Sequence, residues 1–194
     1  MSVDSVKLPI SGLEYARQGL PFVDSYPGSG KTILSAYLLD CLESGDHSPS
    51  SRSTTLCYVF CDKKIGTQRD DRAIIRSLIH QLLMRRRSLI KYLKAAYDVA
   101  GPQFDQSFHG LWKIFIAIAR DKRIGPLNVL IDAIDECEQI TREQFLRDIA
   151  NLIKNSQLSG LRTPNIKFLI TSRPLLGRQH TTNLLEIHLS QDEI

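Results

Sequence analysis

The sequence contains no apolar run approaching the ~20 residues that cross a bilayer, so no membrane-spanning segment and no membrane partner are expected. Its first twenty residues, broken by Lys7, Pro9 and Glu14, lack the apolar core of a signal peptide. Cysteine is sparse: Cys41, Cys57, Cys61 and Cys137, like the five histidines, fall without CxxC or HxxxH spacing, which argues against a zinc site. Reduced thiols in a cytoplasmic protein are the expectation. Aromatics make up only 7% of residues, and the one dense basic run, Arg85-Arg86-Arg87, has none interleaved. A solvated helix end, where cations suit the dipole, accounts for that run better than a specific nucleic-acid contact.

What is present suits one soluble domain. At 194 residues, 42% hydrophobic and 24% charged, with a net charge of +4, the chain can bury one good core but not two. Residues 1–19 read as a lead-in and 20–194 as a single domain in which strands alternate with helices. Strand patterns fall at Leu20 to Asp24, Thr55 to Cys61, Leu127 to Ile131, Ile166 to Thr171 and Leu184 to Leu189. The first helix sets Ile33, Leu34, Tyr37, Leu38, Cys41 and Leu42 on one side, and a polar loop from Ser44 to Thr54 follows it. A second helix, Asp70 to Arg85, has a broad apolar face from Ile74 to Leu83. Two more lie near Leu89 to Val99 and Phe108 to Arg120, with Trp112 expected in the core. Thr141 and Gln144 have capping-box spacing at the head of a helix through Ile153, and a loop from Asn155 to Asn165 precedes the next strand. Such alternation implies a parallel sheet with right-handed crossovers.

Three motifs carry chemistry. Pro27-Gly28-Ser29-Gly30-Lys31-Thr32 sits between a short strand and a helix, the setting a phosphate-binding loop requires. Glycines let backbone N–H groups approach phosphates, the helix N-terminus adds positive character, Lys31 reaches the outer phosphates and the Thr32 hydroxyl ligates Mg²⁺. Ser25 stands where the pattern GxxxxGK[ST] has its first glycine; positive φ there would cost on the order of 1 kcal/mol. The second motif is the apolar strand that ends in Asp132-Ala133-Ile134-Asp135-Glu136, a Walker B arrangement. In it Asp132 would hold Mg²⁺, and Asp135 or Glu136 would polarise an attacking water. The third, Phe168 to Pro174, ends another buried strand at Arg173, placed to sense a γ-phosphate.

Together PGSGKT, CDKK followed by RAIIRSLIHQLL, VLIDAIDEC and FLITSRP resemble the NACHT NTPase domain of STAND signalling proteins. The type is the nephrocystin-like N-terminal one of fungal multidomain, repeat-containing, NOD-like proteins. The resemblance runs from about residue 20 to 190. It implies an α/β, three-layer P-loop NTPase fold with a parallel five-stranded sheet whose sensor strand lies between the Walker A and Walker B strands. It also implies a switch, closed with diphosphate and opened by ATP or GTP with Mg²⁺. The open form would oligomerise or join full-length relatives, and slow hydrolysis would reset it. The sequence ends at Ile194 without winged-helix, repeat or effector segments, so a fragment, a shortened gene model or a stand-alone remnant is expected.

Other readings fare less well. A small-molecule kinase would need an arginine-rich lid, and the DAIDE cluster belongs to water-activating NTPases. No NKxD-like guanine-reading motif is present, and a helicase would need a second lobe. A degenerate scaffold that no longer binds nucleotide stays open because of Ser25 and the missing domains.

Overall fold

A computed structural model describes residues 21–24, 26, 28–44, 54–63, 70–158, 165–174 and 185–188. Strands β1 (Pro21–Asp24), β2 (Thr55–Phe60), β3 (Leu127–Asp132), β4 (Ile166–Ser172) and β5 (Leu185–His188) alternate with helices α1 (Lys31–Ser44), α2 (Asp71–Arg85), α3 (Ile90–Ala100), α4 (Phe108–Ala119) and α5 (Gln139–Leu158). All strand pairs are parallel, in the order β2-β3-β4-β1-β5. The α/β alternation and parallel sheet expected from periodicity are therefore present. Among the described side chains, those of β2, β3 and β4 supply the sheet's share of the core.

Burial explains their sequences. Five of the six β3 residues are buried, as for a parallel strand covered on both faces. Helix α2 turns Ile74, Ile75, Leu78, Ile79 and Leu82 into the same core. Its N-terminus is capped by Asp70, whose carboxylate accepts the Arg72 N–H at 3.0 Å. Helix α4 is apolar on most sides and buries eight of its residues. Ser107 caps it through the Gly110 N–H, and a Cβ at Gly110 would stand 2.9 Å from the Ser107 hydroxyl, so that turn requires glycine. Trp112 is 8% exposed and packs with Phe108, Phe115, Phe145 and Phe168, their ring centroids 5.6 to 6.5 Å from its own. It is core, as expected.

Strand β2 is an edge of the sheet, and its outer backbone meets a side chain. Gln81 of α2 donates its amide to the Tyr58 carbonyl at 2.7 Å and accepts the Tyr58 N–H at 3.1 Å.

Two expectations need correction. The apolar side of α1 does not face the core: Ile33 is 75% exposed, Tyr37 56% and Leu42 43%, while Ser35 is fully buried. Polar bonds from Thr32 and Ser35 to β3 decide how that helix is turned. The capping box at Thr141 is also absent, because α5 begins at Gln139 and the Arg142 N–H already bonds the Glu138 carbonyl at 2.9 Å. Thr141 lies inside the first turn.

Candidate functional site

The carboxyl ends of β2, β3 and β4 and the N-terminus of α1 converge on one polar region. The loop before α1 needs its glycines for conformation: Gly28 and Gly30 have φ of +84° and +76°, with open space where a Cβ would stand. Buried Ser29 donates its hydroxyl to the Tyr26 carbonyl at 2.8 Å. The Lys31 ammonium folds over the loop, donating to the same carbonyl at 2.9 Å and reaching the Ser29 hydroxyl at 3.3 Å. The Leu34 N–H bonds the Gly30 carbonyl, so helical pairing starts at the loop and the positive end of the α1 dipole points into it. Ser25 and Pro27 lie outside the described residues.

Asp132, at the end of β3, is 2% exposed and organises the region. Its carboxylate accepts three hydroxyls: Thr32 at 2.8 Å, Ser35 at 2.6 Å and Thr171 at 2.6 Å. Thr171 in turn accepts the Ala133 N–H at 2.9 Å. A buried carboxylate is tolerable here because its lone pairs meet donors from α1 and β4.

The chain then turns sharply. Ala133 has φ of 55° and ψ of 48°, the one non-glycine residue with positive φ among those described. Such a conformation costs on the order of 1–2 kcal/mol and persists only where the surroundings impose it. A 3-10 turn, Ile134–Glu136, comes next and aims the acidic pair at the neighbouring strand ends. Asp135 accepts the Arg173 N–H at 2.9 Å and lies 3.3 Å from its guanidinium. Glu136 accepts the Lys63 N–H at 3.0 Å and stands 3.9 Å from Arg173. A cleft of about 510 Å³ opens between Thr32, Phe60, Asp62, Lys63, Asp132 and Glu136. A larger cavity, about 640 Å³, runs along β2 and α2 and shares Phe60 with the cleft but none of its polar groups, so chemistry and not volume marks the site.

All the motif residues that are described therefore meet at one sheet edge. The sequence did not point to Ser35, Thr171, Ala133 or the Lys63 amide. Ser35 comes three positions after Thr32, which places both on one helix face. Thr171 comes beside Asp132 through strand register, since Ile131 pairs with Ile170. All four cysteines are free thiols, and Cys61 and Cys137, far apart in sequence, hydrogen-bond to each other beside the acidic turn. That bond, together with burial and the nearby carboxylates, pushes the Cys61 thiol far above its usual range.

The donor set suits a hard cation. No cluster of three or more His, Cys, Asp or Glu able to hold a metal exists among the described residues. Mg²⁺ does not need one: it is held by one or two carboxylates and by phosphate and water oxygens, which a threonine hydroxyl beside a single aspartate complements.

Residues 15–173 match the family described as Nephrocystin 3, N-terminal. The vegetative incompatibility protein HET-E-1 of Podospora anserina is 27% identical over 162 residues, covering 80% of this chain and 11% of that protein. The chain thus spans about a tenth of that relative's length. In fold it is similar to a chain in the structure of Drosophila ORC bound to DNA, with a TM-score of 0.52 and 14% identity over 94% of this chain and 41% of the other.

Proposed function

The chain belongs to the nephrocystin 3 N-terminal family, with NACHT-type motifs, and from that premise we propose that it binds ATP or GTP with Mg²⁺ and hydrolyses it slowly as the switch module of a signalling protein. In this reading the fold is a three-layer P-loop NTPase, with β4 as sensor strand between the Walker A strand β1 and the Walker B strand β3.

The observation that carries the proposal is the 2.8 Å bond between Thr32 and Asp132. It joins the residue after the loop lysine to the end of the acidic strand, 100 positions away, as an Mg²⁺-phosphate site requires. The glycine loop and α1 N-terminus would cradle phosphate oxygens, and Lys31 would exchange the Tyr26 carbonyl for the outer phosphates. Mg²⁺, when bound, would neutralise charge developing on those oxygens. Thr32 and Asp132 would hold it, and Ser35 and Thr171 would orient the aspartate. Glu136, at the cleft, would polarise the attacking water. Asp135 holds Arg173 beside the acidic pair, from where the guanidinium would read the presence of a γ-phosphate. Switching would act through association with further copies or with longer relatives.

Thermal melting with and without Mg-ATP, Mg-GTP and their diphosphates tests the reading. Ligand at 100 times its Kd adds about 2.7 kcal/mol. A shift that Lys31→Ala abolishes and Glu136→Gln retains, with slower hydrolysis in the latter, is expected. Equal nucleotide affinity of the wild type and Lys31→Ala sinks the site assignment. No shift at millimolar nucleotide from the folded protein leaves a scaffold that has lost its ligand.

A further inference from the structure

At the opposite edge of the sheet, where β3 begins, two segments distant in sequence meet. Residues 85–94 carry five cations and no acid; residues 120–123 carry three cations and one acid, Asp121. Arg123 donates to the Ser88 hydroxyl at 3.0 Å, and the Lys91 ammonium lies 3.3 Å from Asp121. The Asp121 side chain is only 7% exposed and is already held by Arg123 at 2.6 Å and the Tyr92 hydroxyl at 3.0 Å. The one acid of the cluster is therefore used internally. Around this junction Arg86, Arg87, Lys91, Lys94, Lys122 and Arg123 are all exposed. Ile90, in the middle of the run, is 55% exposed.

We propose that this basic face adsorbs to membrane surfaces rich in anionic phospholipid, with the cations against the headgroups and Ile90 entering the headgroup boundary. Four to eight clustered lysines and arginines make such a surface attractive, each contributing about 1 kcal/mol near the bilayer. A half-exposed aliphatic residue among cations is the interfacial pattern. Single-stranded nucleic acid fits less well because it needs aromatic faces for stacking. The aromatic at the junction, Tyr92, has its hydroxyl bound to Asp121 and the Lys91 ammonium 4.7 Å over its ring. Adsorption does not require a spanning segment, and no helix among the described residues is long and apolar enough to cross a membrane. Sequence alone points to no membrane partner because residues 120–123 are not seen there beside residues 85–94.

Co-sedimentation of the full chain with vesicles tests this. Vesicles of equal parts phosphatidylserine and phosphatidylcholine are expected to bind it, progressively less as salt rises, and pure phosphatidylcholine vesicles are not. The triple variant Arg86→Glu, Arg87→Glu, Lys94→Glu is expected to bind roughly 100-fold more weakly, from the loss of three such cation contacts. Ile90→Asp and Lys94→Glu, single changes at exposed positions, each reduce binding and keep the test valid if the triple variant fails to fold. Equal binding to both vesicle types, no binding to phosphatidylserine even at low salt, or tighter binding to duplex DNA or RNA than to the vesicles overturns the proposal.

Discussion

Replacing Asp132 by alanine tests how the site is built before any ligand is considered. Three hydroxyls would lose their acceptor, and they differ in whether water can replace it. Thr32 is exposed and can bond water instead. Ser35 and Thr171 are 0% and 1% exposed and cannot. Each buried donor left unpaired costs about 1–3 kcal/mol, so the two together cost about 2–6 kcal/mol. Relief from holding a carboxylate away from water offsets part of that, which leaves a net loss of roughly 2–4 kcal/mol. Asp132→Asn keeps one carbonyl oxygen with two lone pairs, enough for both buried hydroxyls, and should lose less than about 1.5 kcal/mol. For a chain of this size the alanine variant should melt about 4–16 °C lower. Urea unfolding without nucleotide and with chelator present gives the free energies directly. An alanine variant as stable as the asparagine one, or more stable than wild type, would refute the claim that this carboxylate holds the α1 and β4 hydroxyls in place.

Other perturbations separate backbone, core and charge. Gly30→Ala meets no steric obstacle but must hold φ at +76°, so it should cost about 1–2 kcal/mol and weaken any nucleotide-induced melting shift; unchanged stability would mean the loop relaxes. Phe145, fully buried with its ring centroid 6.0 Å from Phe108 and 5.8 Å from Trp112, should cost about 3–5 kcal/mol when cut to alanine, measured by urea unfolding. Arg123 first, then Tyr92 and Lys91, hold the Asp121 carboxyl well below the usual carboxylate range despite its burial. A depressed folded value gives stability that is present above the unfolded value, about 3.9, and lost as pH falls through the folded one. Acid titration followed by fluorescence should therefore show stability falling below about pH 4, with a shallower fall in Asp121→Asn.

The readable parts of the fold are those where burial and period agree. The β3 run and the α2 face are uniform enough that only one arrangement buries them, and both lie where periodicity places them. Helix α1 misleads because its apolar stripe is real but is overruled by two hydroxyls bonded to Asp132, a contact that spans about a hundred residues. Thr141 misleads because a capping box is a local preference, and the Glu138 carbonyl starts the helical ladder ahead of it. Within the candidate site, the motif residues stand out in the sequence because their types and order are distinctive. The supporting hydroxyls Ser35 and Thr171, and the contact between Cys61 and Cys137, depend on register and helix rotation, which composition does not encode.

The Gln81 amide, set against Tyr58 on the outermost strand, has a bearing on solubility. An open strand edge is a template on which another chain can extend the sheet. Here one side chain supplies the donor and acceptor that an incoming strand would offer, at 2.7 and 3.1 Å, and so occupies the central rung of a six-residue edge. Tyr58 is 37% exposed, which makes the position otherwise attractive to aromatic and β-branched neighbours. A foreign strand would first have to displace a partner tethered by α2, whose local concentration no free peptide matches. The helix that closes the core thereby also guards the sheet against fibrous growth.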